Sequence, residues 1–312
     1  MNLWVFLVVI GGSAILSLGS VAASIRIAHR VGAVDRPDSE RKTQERPIPK
    51  LGGVAVALTL LIVVVAALVI LDRKSDIPLA LSVLGPALGV AMLGYIDDIR
   101  DINPWVRLGS EAALALISWF AGTQVNVFGI AILDAAIMVI WIVAIINGLN
   151  LLDNADGLAG STVLVSSTGA GLIAVINGQN IISLMAFSIA GIAIGFLWHN
   201  WYPARVYLGD SGAYFLGFLM AVLAIRLRPE DSPQSVAILI AILLLLLPLI
   251  DTTYVVISRL RRGVHPFTAG RDHLSHVLQA RGASVPGSVA ALIGVSIIGS
   301  IAAVILALFF KK

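Results

Sequence analysis

Asn147–Gly160, N-G-L-N-L-L-D-N-A-D-G-L-A-G, sets Asn147, Asn150, Asp153 and Asp156 at every third position between apolar runs. On a helical backbone that spacing projects the four side chains along one slowly turning side. Gly148, Gly157 and Gly160 leave room for a ligand or a second backbone. A polar loop joining two spans would account for a lone Asp-Gly. Acids and amides in register, in a chain this poor in charge, point to a site.

The rest of the chain supplies the setting. Of 312 residues, 58% are hydrophobic and 12% charged, against roughly a quarter charged in an ordinary soluble domain. Ten apolar runs lie near 3–25, 51–71, 77–95, 105–122, 129–147, 158–176, 180–198, 211–226, 235–257 and 284–310. Each is about 20 residues, enough to cross roughly 30 Å of hydrocarbon as a helix. The expected fold is an all-α polytopic integral membrane protein with about ten transmembrane helices, a single catalytic domain over 1–312. No Lys or Arg precedes the first run, which is also too long for a cleaved leader, so it is expected to stay. With no cysteine, disulfides and thiolate metal sites are excluded.

Charge sets the expected orientation. Of the 21 Lys and Arg residues, 15 fall in the odd-numbered connections, seven of them (Arg26, Arg30, Arg36, Arg41, Lys42, Arg46, Lys50) in the first. The positive-inside rule then makes those connections cytoplasmic and both termini extracytoplasmic. The cytoplasmic loops are expected at about 26–50, 96–104, 148–157, 199–210 and 258–283.

Most of the acids and the histidines lie in the same five places. Arg46 and Lys50, beside Gly52 and Gly53, are placed to hold a phosphate. The adjacent carboxylates of Asp97 and Asp98 repel, so in a low-dielectric setting they need a cation or a shared proton. Glu111 and Asp134 are isolated acids within runs and stay unassigned. Trp198, Trp201, Tyr202 and Tyr207 read as interfacial anchors. In G-D-S-G, Asp210 either caps a helix or holds Mg2+ against a phosphate bound at the free amides. Asp251 needs a buried partner, for which Thr252 or water is expected. His273 and His276, beside Arg271, lack a further His or Cys to complete a zinc set and suit phosphate oxygens instead.

Together these residues resemble one family, the polyprenyl-phosphate N-acetylhexosamine-1-phosphate transferases. The likeness rests on P-x-x-G-G at Pro49–Gly53, the Asp-Asp pair, N-x-x-N-x-x-D-x-x-D-G, G-D-S-G and the His-containing loop, in that order over nearly the whole chain. Pro248, Asp251, Thr252 and Arg259 look like the branch that transfers GlcNAc-1-phosphate; Ser275 and Thr43 depart from it where histidines are usual. The resemblance implies Asp210 as the metal aspartate, with Asp98 near it, and Asp97 and Asp98 as the acidic pair. It implies Asn147, Asn150, Asp153 and Asp156 on the nucleotide, and Arg46, His273 and His276 on phosphates. It further implies Mg2+, with Mn2+ as an alternative, and transfer of GlcNAc-1-phosphate from UDP-GlcNAc to undecaprenyl or another polyprenyl phosphate, with release of UMP. The product, a lipid diphosphate sugar, would serve cell-wall or surface-polysaccharide synthesis at a cytoplasmic active site of the bacterial plasma membrane. Single displacement and an aspartyl-phosphate intermediate both stay open. The partners expected are the nucleotide sugar, the polyprenyl phosphate and membrane lipid, with no nucleic acid and with a homodimer kept open. The alternative is a phospho-N-acetylmuramoyl-pentapeptide transferase; a transporter is more remote, because the acids gather at one face and no repeated half is visible.

Overall fold

Backbone in lipid can satisfy its own hydrogen bonds only as helix or closed barrel, and in the computed structural model the apolar runs are helices. Residues 3–35, 46–227, 233–268 and 270–311 are described; Arg36, Arg41, Lys42, Thr43 and Arg228 lie outside them. The order is α1 (Leu3–Val31), β1 (Val34–Asp35), β2 (Ile48–Pro49), α2 (Gly52–Ile70), α3 (Ile77–Arg100), α4 (Pro104–Phe120), α5 (Ala131–Leu152), α6 (Leu158–Ile176) and α7 (Asn180–Asn200). There follow α8 (Gly209–Arg226), α9 (Gln234–Leu244), α10 (Leu246–Arg261), α11 (Leu274–Ala280) and α12 (Val285–Phe309).

Among the described residues, eight helices are long and apolar enough to cross a membrane, or nine if α9 and α10 form one broken span. The fourth expected span, α4, is short at 17 residues and carries Arg107 and Glu111. The ninth is not straight: α9 and α10 meet at 74°. Pro248 supplies the reason, since it has no N–H to give to the carbonyl four residues back. That carbonyl, of Leu244, accepts instead from Ser166 Oγ at 2.7 Å. Two helices also outrun their apolar stretches. α3 continues through Asp97 and Asp98, and α5 through Asn147 and Asn150, so the expected loops at 96–104 and 148–157 begin as helix.

α8 is the hub of the bundle. Tyr214, Phe215 and Phe218 are fully buried, and the helix packs on α2, α3 and α5. Glycines allow the close approach. A Cβ on Gly53 would collide with the backbone of Gly212, and one on Gly94 with the backbone of Asp210. α7 is buried along most of its length, whereas α1 and α12 turn most of their surface outward. On α7, Gly191 and Gly195 form a small-x-x-x-small stripe against α1, and Ser17 Oγ donates to the Ile192 carbonyl at 2.8 Å.

One end of this bundle opens into a cavity. There the β1–β2 hairpin, with Val34 opposite Pro49, lies beside the ends of α3, α5 and α7 and the start of α8. Gly53 N donates to Leu208 O at 2.8 Å and Tyr207 N to Pro49 O at 2.8 Å, tying the first connection to the seventh.

Candidate active site

A cavity of about 580 Å3 opens at that end, lined from all five odd-numbered connections. Asp98, Asp153 and Asp210, from three separate segments, all face it. Each reaches it for a local reason. Asp98 stands on the last turns of α3 and accepts from the free amides at the start of α8, Oδ1 from Asp210 N and Oδ2 from Ser211 N, each at 3.1 Å. The cap of α8 is therefore supplied by Asp98 from across the bundle, and the Asp210 carboxylate is left to the cavity. Gly209 is required here: its φ is +70°, and a Cβ would come within 2.9 Å of the Asp98 carboxylate.

Asp153 follows the end of α5, and the backbone of Gly209 hydrogen-bonds to it. Burial, and then repulsion from Asp210 and Asp98, holds its pKa well above the usual carboxylate range. Asp156 also lines the cavity and accepts from Ala204 N at 2.9 Å; burial raises its pKa too. Asn200, 2% exposed, ties this turn down, taking Gly157 N on Oδ1 at 3.1 Å and giving Nδ2 to Val206 O at 2.9 Å. Asn150 completes the acidic side.

On the other sides stand Lys50, Arg271 and His276, with Tyr202 and Tyr207. Lys50 Nζ is 3.4 Å from Asp35. The His276 pKa lies below the ordinary value because of burial, with His273 and Arg271 adding to the effect, so this imidazole meets a ligand as a neutral group. Reading both tyrosines as interfacial anchors is corrected: they line the cavity. Trp201 lies over Gly157, while Trp198 remains largely exposed.

Asp97, Asn147, Arg46 and His273 are not on the cavity wall. Asp97 has partners of its own, distinct from those of Asp98. It points away, accepting from Tyr214 Oη at 2.6 Å and Ile102 N at 2.7 Å, with Arg107 at 3.5 Å. Asn147 donates to Glu111 at 2.6 Å and to the Val143 carbonyl at 2.9 Å. Glu111, fully buried, is thereby placed in a network with Arg107, 3.8 Å away. Asp134 accepts from Val127 N and Phe128 N, each at 2.8 Å, at the opposite end. Arg46 is exposed ahead of β2. The partner of Asp251 is neither Thr252 nor water: His273 Nδ1 lies 2.9 Å from it and Leu274 N donates at 2.8 Å. Ser275 is buried and donates to Asn154 Oδ1 at 2.5 Å.

Among the described residues, no three His, Cys, Asp or Glu side chains form a ready metal cage. The donor set still fits Mg2+, which keeps several waters and takes one or two carboxylates plus substrate phosphates. Carboxylates gathered on one wall, with Asp153 pushed toward its neutral form by burial and then by its neighbours, are what a divalent cation relieves.

Fold and cavity define a helical membrane protein with an acid-walled chamber at one end of its bundle. Residues 80–228 match the family described as glycosyl transferase family 4. The probable undecaprenyl-phosphate N-acetylglucosaminyl 1-phosphate transferase of Bacillus subtilis (strain 168) is 29% identical over 290 residues, covering 90% of this chain and 79% of that one. The undecaprenyl-phosphate alpha-N-acetylglucosaminyl 1-phosphate transferase of Thermotoga maritima is 30% identical over 271 residues, 86% of this chain and 80% of that one. A phospho-N-acetylmuramoyl-pentapeptide-transferase of Streptococcus pyogenes is 29% identical over a shorter 205 residues, 58% of this chain and 60% of that one. The chain belongs to glycosyl transferase family 4, and is a phosphosugar transferase of the membrane.

Proposed function

We propose that this chain transfers GlcNAc-1-phosphate from UDP-GlcNAc to undecaprenyl phosphate, at the cytoplasmic face of a bacterial plasma membrane. The convergence of Asp98, Asp153 and Asp210 on one chamber carries the reading. The names of the relatives from Bacillus and Thermotoga support the donor and acceptor. The cytoplasmic side is supported by the 15 of 21 basic residues in the connections that meet at the chamber.

The reaction joins two anions. A lipid phosphate oxygen forms a bond to the sugar-bound phosphorus, the diphosphate P–O bond breaks, and UMP leaves with the electron pair. Asp210, with Asp98 beside it, would hold Mg2+, which when bound would supply charge neutralisation for the diphosphate and the leaving UMP. The protein's own part is positioning. Asp98, oriented by two amides, keeps the start of α8 and hence Asp210 in place. Asn150, Asp153 and Asp156 take the nucleotide, and His276, Arg271 and Lys50 take phosphate oxygens. Arg46 would meet the same phosphates as they arrive, while Asn147, Asp97 and His273 support the wall from behind. Little base strength is demanded of Asp97 or Asp98, because a phosphate monoester with a second pKa of about 6 is already mostly ionised at pH 7.

The test is UMP release in detergent with undecaprenyl phosphate as acceptor, comparing UDP-GlcNAc with the UDP-muramoyl-pentapeptide, with and without Mg2+. Mg2+-dependent release from UDP-GlcNAc is expected. Turnover only with the pentapeptide donor would replace the sugar assignment, and turnover with neither would remove the transferase reading.

A further inference from the structure

α10 carries a buried stripe at Asp251, Val255 and Arg259, four residues apart. Two of these side chains grip three consecutive residues of the loop that follows. Arg259 binds Asp272 through Nε at 3.0 Å and Nη2 at 2.8 Å, and gives Nη1 to Pro266 O at 2.6 Å. Asp251 holds His273 and the amide of Leu274, the first residue of α11. A carboxylate 1% exposed is costly to bury unless fully paired. Here both its oxygens are spent on fixing where α11 begins. Arg271, His276 and Gln279, on either side of the gripped residues, are the part of this loop that lines the chamber. The His273 and His276 rings are 5.8 Å apart, edge to face.

We infer that Asp251 is a positioning residue of the transferase: through His273 and the Leu274 amide it sets how α11 presents His276 to the chamber, with Arg259 as the second staple. The inference rests on the transferase reading above. It gives a buried acid far along α10 a part in turnover without contact with substrate.

Asp251→Asn tests it with little change of shape, because a carboxamide has one accepting oxygen where the carboxylate uses two. Expected is a fall of roughly 100-fold in kcat/KM for UDP-GlcNAc, the size of a small misplacement of a substrate-holding group. Amides of 274–280 should also exchange faster with solvent, at an unchanged melting temperature in detergent. The deciding measurement is a double-mutant cycle with His276→Ala. If Asp251 acts through His276, Asp251→Asn costs less than threefold in that background. Additive losses, or unchanged exchange over 274–280, would overturn the inference while leaving the transferase reading intact. No UMP from the native chain would overturn the transferase reading, and the inference with it. Should Asp251→Asn fail to purify folded, Arg259→Lys loosens the neighbouring staple and is read by the same cycle.

Discussion

At the end of the bundle remote from the chamber, Arg226 gives its guanidinium to Thr123 at 2.7 Å and Ser82 at 3.1 Å, and its carbonyl accepts from Gln179 at 2.7 Å. Asp134, at the same end, is taken up by two backbone amides. At the chamber end Asp98, Asp153 and Asp210 line one cavity, and burial, with repulsion from Asp210 and Asp98 added, raises the pKa of Asp153. Both ends carry charge near an apolar core, but at the chamber end the Asp210 carboxylate is left facing the cavity.

That contrast can be broken experimentally. Asp210→Asn should lower UMP release by roughly 1,000-fold, as removal of charge stabilisation at a reacting phosphate does, while the purified protein elutes and melts as the native one; near-native turnover would detach Asp210 from the chemistry. Asp98→Asn should cost less, roughly 100-fold, together with about 1 kcal/mol of stability from the weakened cap of α8, read by thermal melting in detergent. The third prediction concerns pH. Arg259 and Arg262 hold the Asp272 pKa at about 2, below the usual carboxylate value. A depressed carboxylate adds stability that is present above its unfolded pKa and lost as pH falls through the folded one. Solvent exchange over 270–280 should therefore accelerate between about pH 4 and pH 2, and Asp272→Asn should remove that dependence. The smallest effect belongs to the closed end. Arg226→Ala should cost about 1 kcal/mol of stability through its lost hydrogen bonds and leave kcat/KM per folded molecule unchanged; a large loss of turnover would mean that the closed end is not merely structural.

The acids of the chamber were legible because spacing and composition betray them: Asn150, Asp153 and Asp156 recur in register, and Asp210 stands between glycines ahead of an apolar run. What a linear reading cannot supply is which distant segment returns to meet a side chain. Asp97 and Asp98 are neighbours in the chain, yet 100° of helix rotation sends one to Tyr214 and Arg107 and the other to the start of α8. Asn147 belongs to the same three-residue rhythm as Asp153, but it sits on α5 against Glu111. Asp251 looked solitary because its partner lies 22 residues later, after a turn. The run 235–257 reads as one span; the break at Leu245, and the taking of the freed Leu244 carbonyl by Ser166 on α6, come from the structure. Apolar length alone does not tell what α4 does: its Arg107 and Glu111 serve the network behind the chamber.

The contact of Gly53 with Gly212 also has a bearing on biogenesis. The start of α2 and the start of α8 are made far apart in time during synthesis, separated by more than 150 residues of chain, yet they close without a side chain between them. Until residue 212 of 312 has left the ribosome and docked, Lys50 has no opposing wall and Asp98 no amides to receive. The catalytic chamber is thus a late product of translation, and a chain arrested before α8 would have helices in the bilayer but nowhere to bind a nucleotide.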